Sequence, residues 1–180
     1  KVMSLLLIFD AIEIGRLKYD QLITTSEVAA SKGGSQIFLS VGEQMSVDDL
    51  LISICIASAN DATVALAEAI SGTEEAFVKL MNNKVKELGL SDTCYSNSTG
   101  LPSNGPHYTT AYDLAKITAY GLKNEKFKEI CSIKNAIIEP TNKRDTRYLK
   151  HKNKLLFTEE NCIGVKTGFT DNAGRCLVNA

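Results

Sequence analysis

Apolar residues recur at helical spacing from the first turn of the chain. Val2, Leu5, Leu6, Phe9 and Ile12 fall on one stripe, and Gly15 stands where a helix C-terminus favours it. This predicts a buried helix over residues 1–14, with Lys1 as its first residue. The periodicity is lost in LITTSEVAASKGGSQIFLSVGEQ, where β-branched runs alternate with Gly33, Gly34 and Gly42, a composition suited to extended segments and tight turns. It returns after Ser46, whose spacing to Asp49 matches a helix-capping start, and predicts a helix through VDDLLISICIAS that stops near Ser58. Further helices are expected over residues 61–70 and from Thr73 to Leu88, the second opened by Glu74 and Glu75 and closed before Gly89. Thr110 and Asp113 repeat the capping spacing ahead of AYDLAKITAYGL, and NEKFKEICS predicts a short helix. From Ala136 the pattern becomes strand-like in AIIE, CIGVKTGFT and GRCLVNA, with a charged loop expected around residues 143–154. Helices first and sheet later indicate an α+β domain spanning 1–180, with a helical block over about 46–132, rather than alternating βαβ units.

Composition narrows the function classes. With 20 Lys+Arg against 21 Asp+Glu and a net charge of -1, no nucleic-acid surface or basic membrane patch is indicated. The longest apolar runs, VMSLLLIF and LLISICIAS, are shorter than a membrane span, and the chain does not open on a signal peptide. Five cysteines without a C-x-x-C pair argue against a disulfide framework or structural zinc, and most are expected in the core. His107 and His151 read as structural or surface residues. No metal and no cofactor is expected.

Catalytic signatures such as G-x-S-x-G, G-x-G-x-x-G, a Walker loop and H-E-x-x-H are absent from the sequence. What remains is Ser58-Ala59-Asn60 at a helix–helix junction and Lys166-Thr167-Gly168 on a predicted strand. In that order, and with GGSQIFLSVGE, ASANDATVALAE, FVKLMNNKVKELGL, YTTAYDLA, KNKLL and GVKTGFTDNAGRCLV around them, they make the chain similar to the D-alanyl-D-alanine carboxypeptidases, low-molecular-mass penicillin-binding proteins. The resemblance implies a β-lactamase/transpeptidase-like fold: a helical block plus part of an antiparallel sheet.

The family's first motif is Ser-x-x-Lys. No lysine of this chain has a serine three positions before it, so the match falls on Lys1, with the nucleophilic serine expected just upstream; Ser4 follows the lysine rather than preceding it. An incomplete penicillin-recognising domain, inactive by itself, is the corresponding expectation. By resemblance, Lys1 is the base that takes the serine proton, Ser58 relays a proton to the leaving amine, and Asn60 holds Lys1 and the substrate amide. Lys166 and Thr167 bind the terminal carboxylate, Gly168 lets a peptide lie along the strand, and the backbone N–H of Phe169 is an oxyanion donor whose side chain is expected to pack. Local readings compete with these roles: Ser58 ends one helix, Asn60 caps the next, and Lys166 decorates a hairpin edge. The resemblance further implies a peptidoglycan stem peptide ending in D-Ala-D-Ala as substrate and β-lactams as pseudo-substrates. It implies an extracytoplasmic, cell-envelope location, with membrane association only through segments outside this sequence. A β-lactamase-like hydrolase is an alternative, but it needs a deacylating base, the region between the motifs shows no convincing one, and Glu68, within a helix, reads as a surface residue. A non-catalytic module that holds peptidoglycan peptides through Lys-Thr-Gly is the other.

Overall fold

A computed structural model describes residues 1–180. Helix α1 (Val2–Glu13) buries the predicted stripe, and Leu5 and Ile8 are fully enclosed. Residues 22–46 form a short hairpin, β1 (Leu22–Thr24) against β2 (Gln44–Ser46), with the single-turn helix α2 (Glu27–Ala30) between its strands. That turn of helix was not evident in a β-branched sequence; the Ser26 side chain caps it by accepting from Ala29 N at 3.0 Å.

Helices α3 (Val47–Ile56), α4 (Asn60–Ser71) and α5 (Glu74–Glu87) follow as the spacing predicts. Ser46 caps α3, accepting from Asp49 N at 3.1 Å, and Thr73 caps α5, accepting from Ala76 N at 3.1 Å. Helix α4 is the centre of the molecule. Its small residues Ala62, Ala65 and Ala67 are buried, which lets α1, α2, α3 and α5 all pack against it. Asn60, however, does not cap it: Asn60 is the first helical residue, and its side chain turns to the carbonyl of Gly33 instead, at 2.7 Å. Helices α6 (Ala111–Gly121) and α7 (Glu125–Ser132) complete the block, capped by Thr110 and Asn124. Phe127 of α7 meets Phe9 of α1 edge to face, with ring centroids 5.5 Å apart.

The strands after the helices pair as two antiparallel hairpins. The first joins β3 (Asn135–Ile138) to β4 (Arg147–Lys150), and the second, after the short α8 (Leu155–Thr158), joins β5 (Val165–Thr170) to β6 (Gly174–Asn179). Strand β4 falls where a charged loop was expected. The charge of Arg147 is not solvated: it donates from Nη2 to Glu43 at 2.7 Å and from Nε to the Ile37 carbonyl at 2.9 Å, and Glu43 is fully buried. All five cysteines are free, and only Cys55 and Cys131 are buried, so the expectation that most lie in the core fails. Cys162 and Cys176 fall on or near the β5–β6 hairpin, which is largely exposed towards its turn.

Candidate active site

Helix α3 ends and α4 begins with three residues between them, and the geometry of that junction sets Ser58. Ala59 N donates back to the Ser53 carbonyl at 3.3 Å, closing a seven-residue turn, with Ser58 in the left-handed region at φ 61. Glycine is the usual occupant of such a position, because a Cβ costs about 1 to 2 kcal/mol there. A serine retained at that cost puts a hydroxyl on the wall of a cleft of about 230 Å³.

Lys1, Lys166, Thr167 and Gly168 line the same cleft, so the structure brings together residues more than a hundred positions apart in the chain. Lys1, at the head of α1, donates from Nζ to the Thr99 carbonyl at 2.6 Å. Burial, then the positive charges of Lys166 and Lys152, bring its pKa down to about 7, with Asp61 acting in the opposite sense. Lys166 is only 6 % exposed, so it is no solvated edge lysine. Its Nζ donates to the Thr167 carbonyl at 2.9 Å, and burial lowers its pKa to about 8, with Cys55 and Cys131 opposing and Lys152 reinforcing the shift. A Cβ on Gly168 would make only ordinary contact with Cys176, at 3.8 Å. Nothing within the chain therefore requires glycine there, whereas a ligand lying along β5 would.

Two predicted residues do not line the cleft. Asn60 is buried with its amide nitrogen committed to Gly33, which leaves Oδ1 buried and without a partner. The Phe169 side chain is 66 % exposed, so the expectation that it packs is wrong: β5 is buried at Val165 and Lys166 and emerges towards its turn. It faces a neighbouring groove with Lys152, Lys154 and Arg175. Ser4 is occupied elsewhere, donating to the Ser98 carbonyl at 2.6 Å. Glu68 is half-buried rather than on the surface, and accepts from Ser26 at 2.6 Å.

Other cleft residues gave no sequence signal. Thr99 acts through its backbone carbonyl, within a loop that reads only as Ser, Asn, Gly and Pro. Tyr95 and His107 close the far wall, stacked edge to face at 5.8 Å. Burial raises the tyrosine pKa and lowers the histidine pKa, so both face the cleft uncharged. His151 is structural: it is 4 % exposed, accepts from Asn153 N at 2.9 Å, and is held neutral by burial and by Lys166.

The family model of peptidase S11, D-alanyl-D-alanine carboxypeptidase, matches residues 1–180, and the chain belongs to that family. It is 47% identical over 178 residues to the D-alanyl-D-alanine carboxypeptidase DacF of Bacillus subtilis, covering 98% of this chain and 45% of that protein. It is 33% identical over 192 residues to DacC of Escherichia coli, covering 99% of this chain and 45% of DacC. The chain thus spans about 45% of the length of these relatives. Among solved structures it resembles the D-alanyl-D-alanine carboxypeptidase DacD of Francisella tularensis, with a TM-score of 0.91, 30% identity and coverage of 99% of this chain and 54% of that one. It also resembles penicillin binding protein 5 of Haemophilus influenzae, with a TM-score of 0.89, 34% identity and coverage of 99% and 51%. The fold is the α+β fold of the penicillin-binding proteins.

Proposed function

We propose that this chain is the central part of the penicillin-recognising domain of a serine-type carboxypeptidase, which removes the terminal D-alanine from peptidoglycan stem peptides in the cell envelope. The observation that carries the reading is Lys1: an amine with its pKa brought down to about 7, in a cleft it shares with Ser58 and Lys166. A lysine at its ordinary value of about 10.4 is no base at neutral pH, and this one is.

The nucleophile is a serine three residues before Lys1, on the same helical face. Its hydroxyl proton passes to Lys1 Nζ as its oxygen attacks the penultimate carbonyl carbon. The oxyanion accepts from the Phe169 N–H and from the N–H of that serine. As the C–N bond breaks, the Ser58 hydroxyl delivers a proton to the leaving amine and recovers one from the Lys1 ammonium. Water then cleaves the ester. Lys166 and Thr167 hold the substrate carboxylate, and the peptide adds as a strand beside β5, where Gly168 keeps the approach open. Asn60 offers its free Oδ1 to the substrate amide or to Lys1. A β-lactam acylates the same serine. Residues 1–180 alone, without the nucleophile, are inactive.

D-Alanine release by the intact protein from a peptide ending in D-Ala-D-Ala tests the reading. Release is expected, with strong loss when the terminal carboxylate is amidated. An intact, folded protein that binds the peptide without releasing D-alanine would instead indicate a binding module.

A further inference from the structure

Asp61 follows Asn60 on α4 and is fully buried, yet no cation pairs with it. Its carboxylate is satisfied by backbone alone. Ile37 N donates to both oxygens at 3.2 and 3.1 Å, Leu39 N donates to Oδ2 at 3.0 Å, and Ala62 N donates to Oδ1 at 2.9 Å. Apolar packing of Ile37 and Leu39 would hold their side chains without any carboxylate; what the carboxylate fixes is their backbone. Between them Phe38 is forced to φ 59 and left 64 % exposed, so the loop adopts a strained path to keep both N–H groups aimed at Asp61.

The same loop builds the site. The Gly33 carbonyl accepts from Asn60 Nδ2 at 2.7 Å and the Ser35 carbonyl accepts from Asn60 N at 2.7 Å. Ser35 Oγ accepts from Lys152 at 2.9 Å. A Cβ on Gly34 would stand 2.8 Å from Asn60 Nδ2, so the loop approaches as closely as a backbone can. These contacts determine which way the Asn60 amide points and leave its Oδ1 as a free buried acceptor.

We propose that Asp61 is a positioning residue for the acyl transfer: it pins the 33–39 loop at the backbone of Ile37 and Leu39 and thereby orients Asn60 and holds Lys152 in the groove beside the cleft. This rests on the reading of Lys1 as the base. The charged and titratable groups around Lys1 are Lys166 from β5, Lys152 beyond β4, Asp61 from α4, and Tyr95 and His107 across the cleft. Asp61 is the anion that opposes the two lysines. Removing its charge therefore lowers the Lys1 pKa further and moves the acid limb of kcat/KM to lower pH, whereas loss of the Asn60 orientation lowers kcat/KM at every pH.

The test uses the intact protein and Asp61→Asn, with active sites counted by β-lactam titration. We expect kcat/KM to fall at least about tenfold, in the range that loss of positioning gives, and the acid limb to move to lower pH. An unmoved limb overturns the proposal while leaving the carboxypeptidase reading intact. A wild-type enzyme with no limb near pH 7 overturns the reading of Lys1 itself. Because Asp61→Asn can fail to fold, amide hydrogen exchange on the wild-type protein supplies a second measurement. Ile37 and Leu39 are expected to exchange as slowly as the core of α4, and exchange as fast as an open loop would overturn the clamp.

Discussion

Lys1 and Lys166 reach one cleft from opposite blocks of the fold, α1 and β5, and the charge of Lys166 helps bring Lys1 down to about 7. On the proposed reading Lys1 accepts a proton and Lys166 stays charged. Burial is the larger cause in both cases, so the pair depends on the walls of the cleft as much as on its charges.

The first prediction is a narrow pH profile. Lys1 must be neutral, so kcat/KM for a peptide carboxylate rises as pH passes about 7; Lys166 must be charged, so it falls as pH passes about 8. A substrate amidated at its C-terminus should keep the acid limb and lose the alkaline one.

Replacing Lys1, the proposed base, should be costly even with charge retained. Lys1→Arg supplies a group that is not deprotonated. Acylation by a β-lactam, followed by stopped flow, should slow by ~10² to 10⁴, while undiminished acylation would assign the proton to another group.

Lys166→Met separates function from stability. A lysine pKa lowered by folding means that the unfolded chain binds the proton more tightly, so the wild type is penalised below about pH 8 and the penalty disappears above its ordinary value of 10.5. Denaturant unfolding at pH 7 should show the variant more stable by up to about 3 kcal/mol. Its kcat/KM on the carboxylate peptide should fall roughly ten- to a hundredfold, the loss of one charge-assisted contact.

Arg147→Ala tests the joint between the two parts of the fold. It strands the fully buried Glu43, whose other partners are Ser40 N at 2.8 Å and Thr141 at 2.7 Å. Breaking a buried pair costs about 3 to 5 kcal/mol, and calorimetry should show a correspondingly lower Tm. Arg147→Met with Glu43→Gln should recover part of that loss.

The helical block was legible because its signals are local. Ser46, Thr73 and Thr110 stand immediately before their helices, and each accepts from the N–H three residues on. Strand β4 was not, because Arg147 reads as solvated until Glu43, a hundred residues away, is seen to bury it. The tripeptides Ser58-Ala59-Asn60 and Lys166-Thr167-Gly168 were legible as motifs, but the turn of Ser58 and the direction of Asn60 were not. Both depend on backbone atoms, Ser53 O and Gly33 O, whose placement no side-chain pattern records. Thr99 was missed for the same reason.

The central claim is that Lys1 serves a serine three residues before it, and peptide mapping of the penicillin adduct tests it most directly. Intact protein incubated with a penicillin, digested and sequenced by mass spectrometry should carry one stoichiometric penicilloyl group on that serine, and residues 1–180 expressed alone should carry none. An adduct on Ser4, Ser58 or any other residue of 1–180, or a residue other than serine at the upstream position, would contradict it.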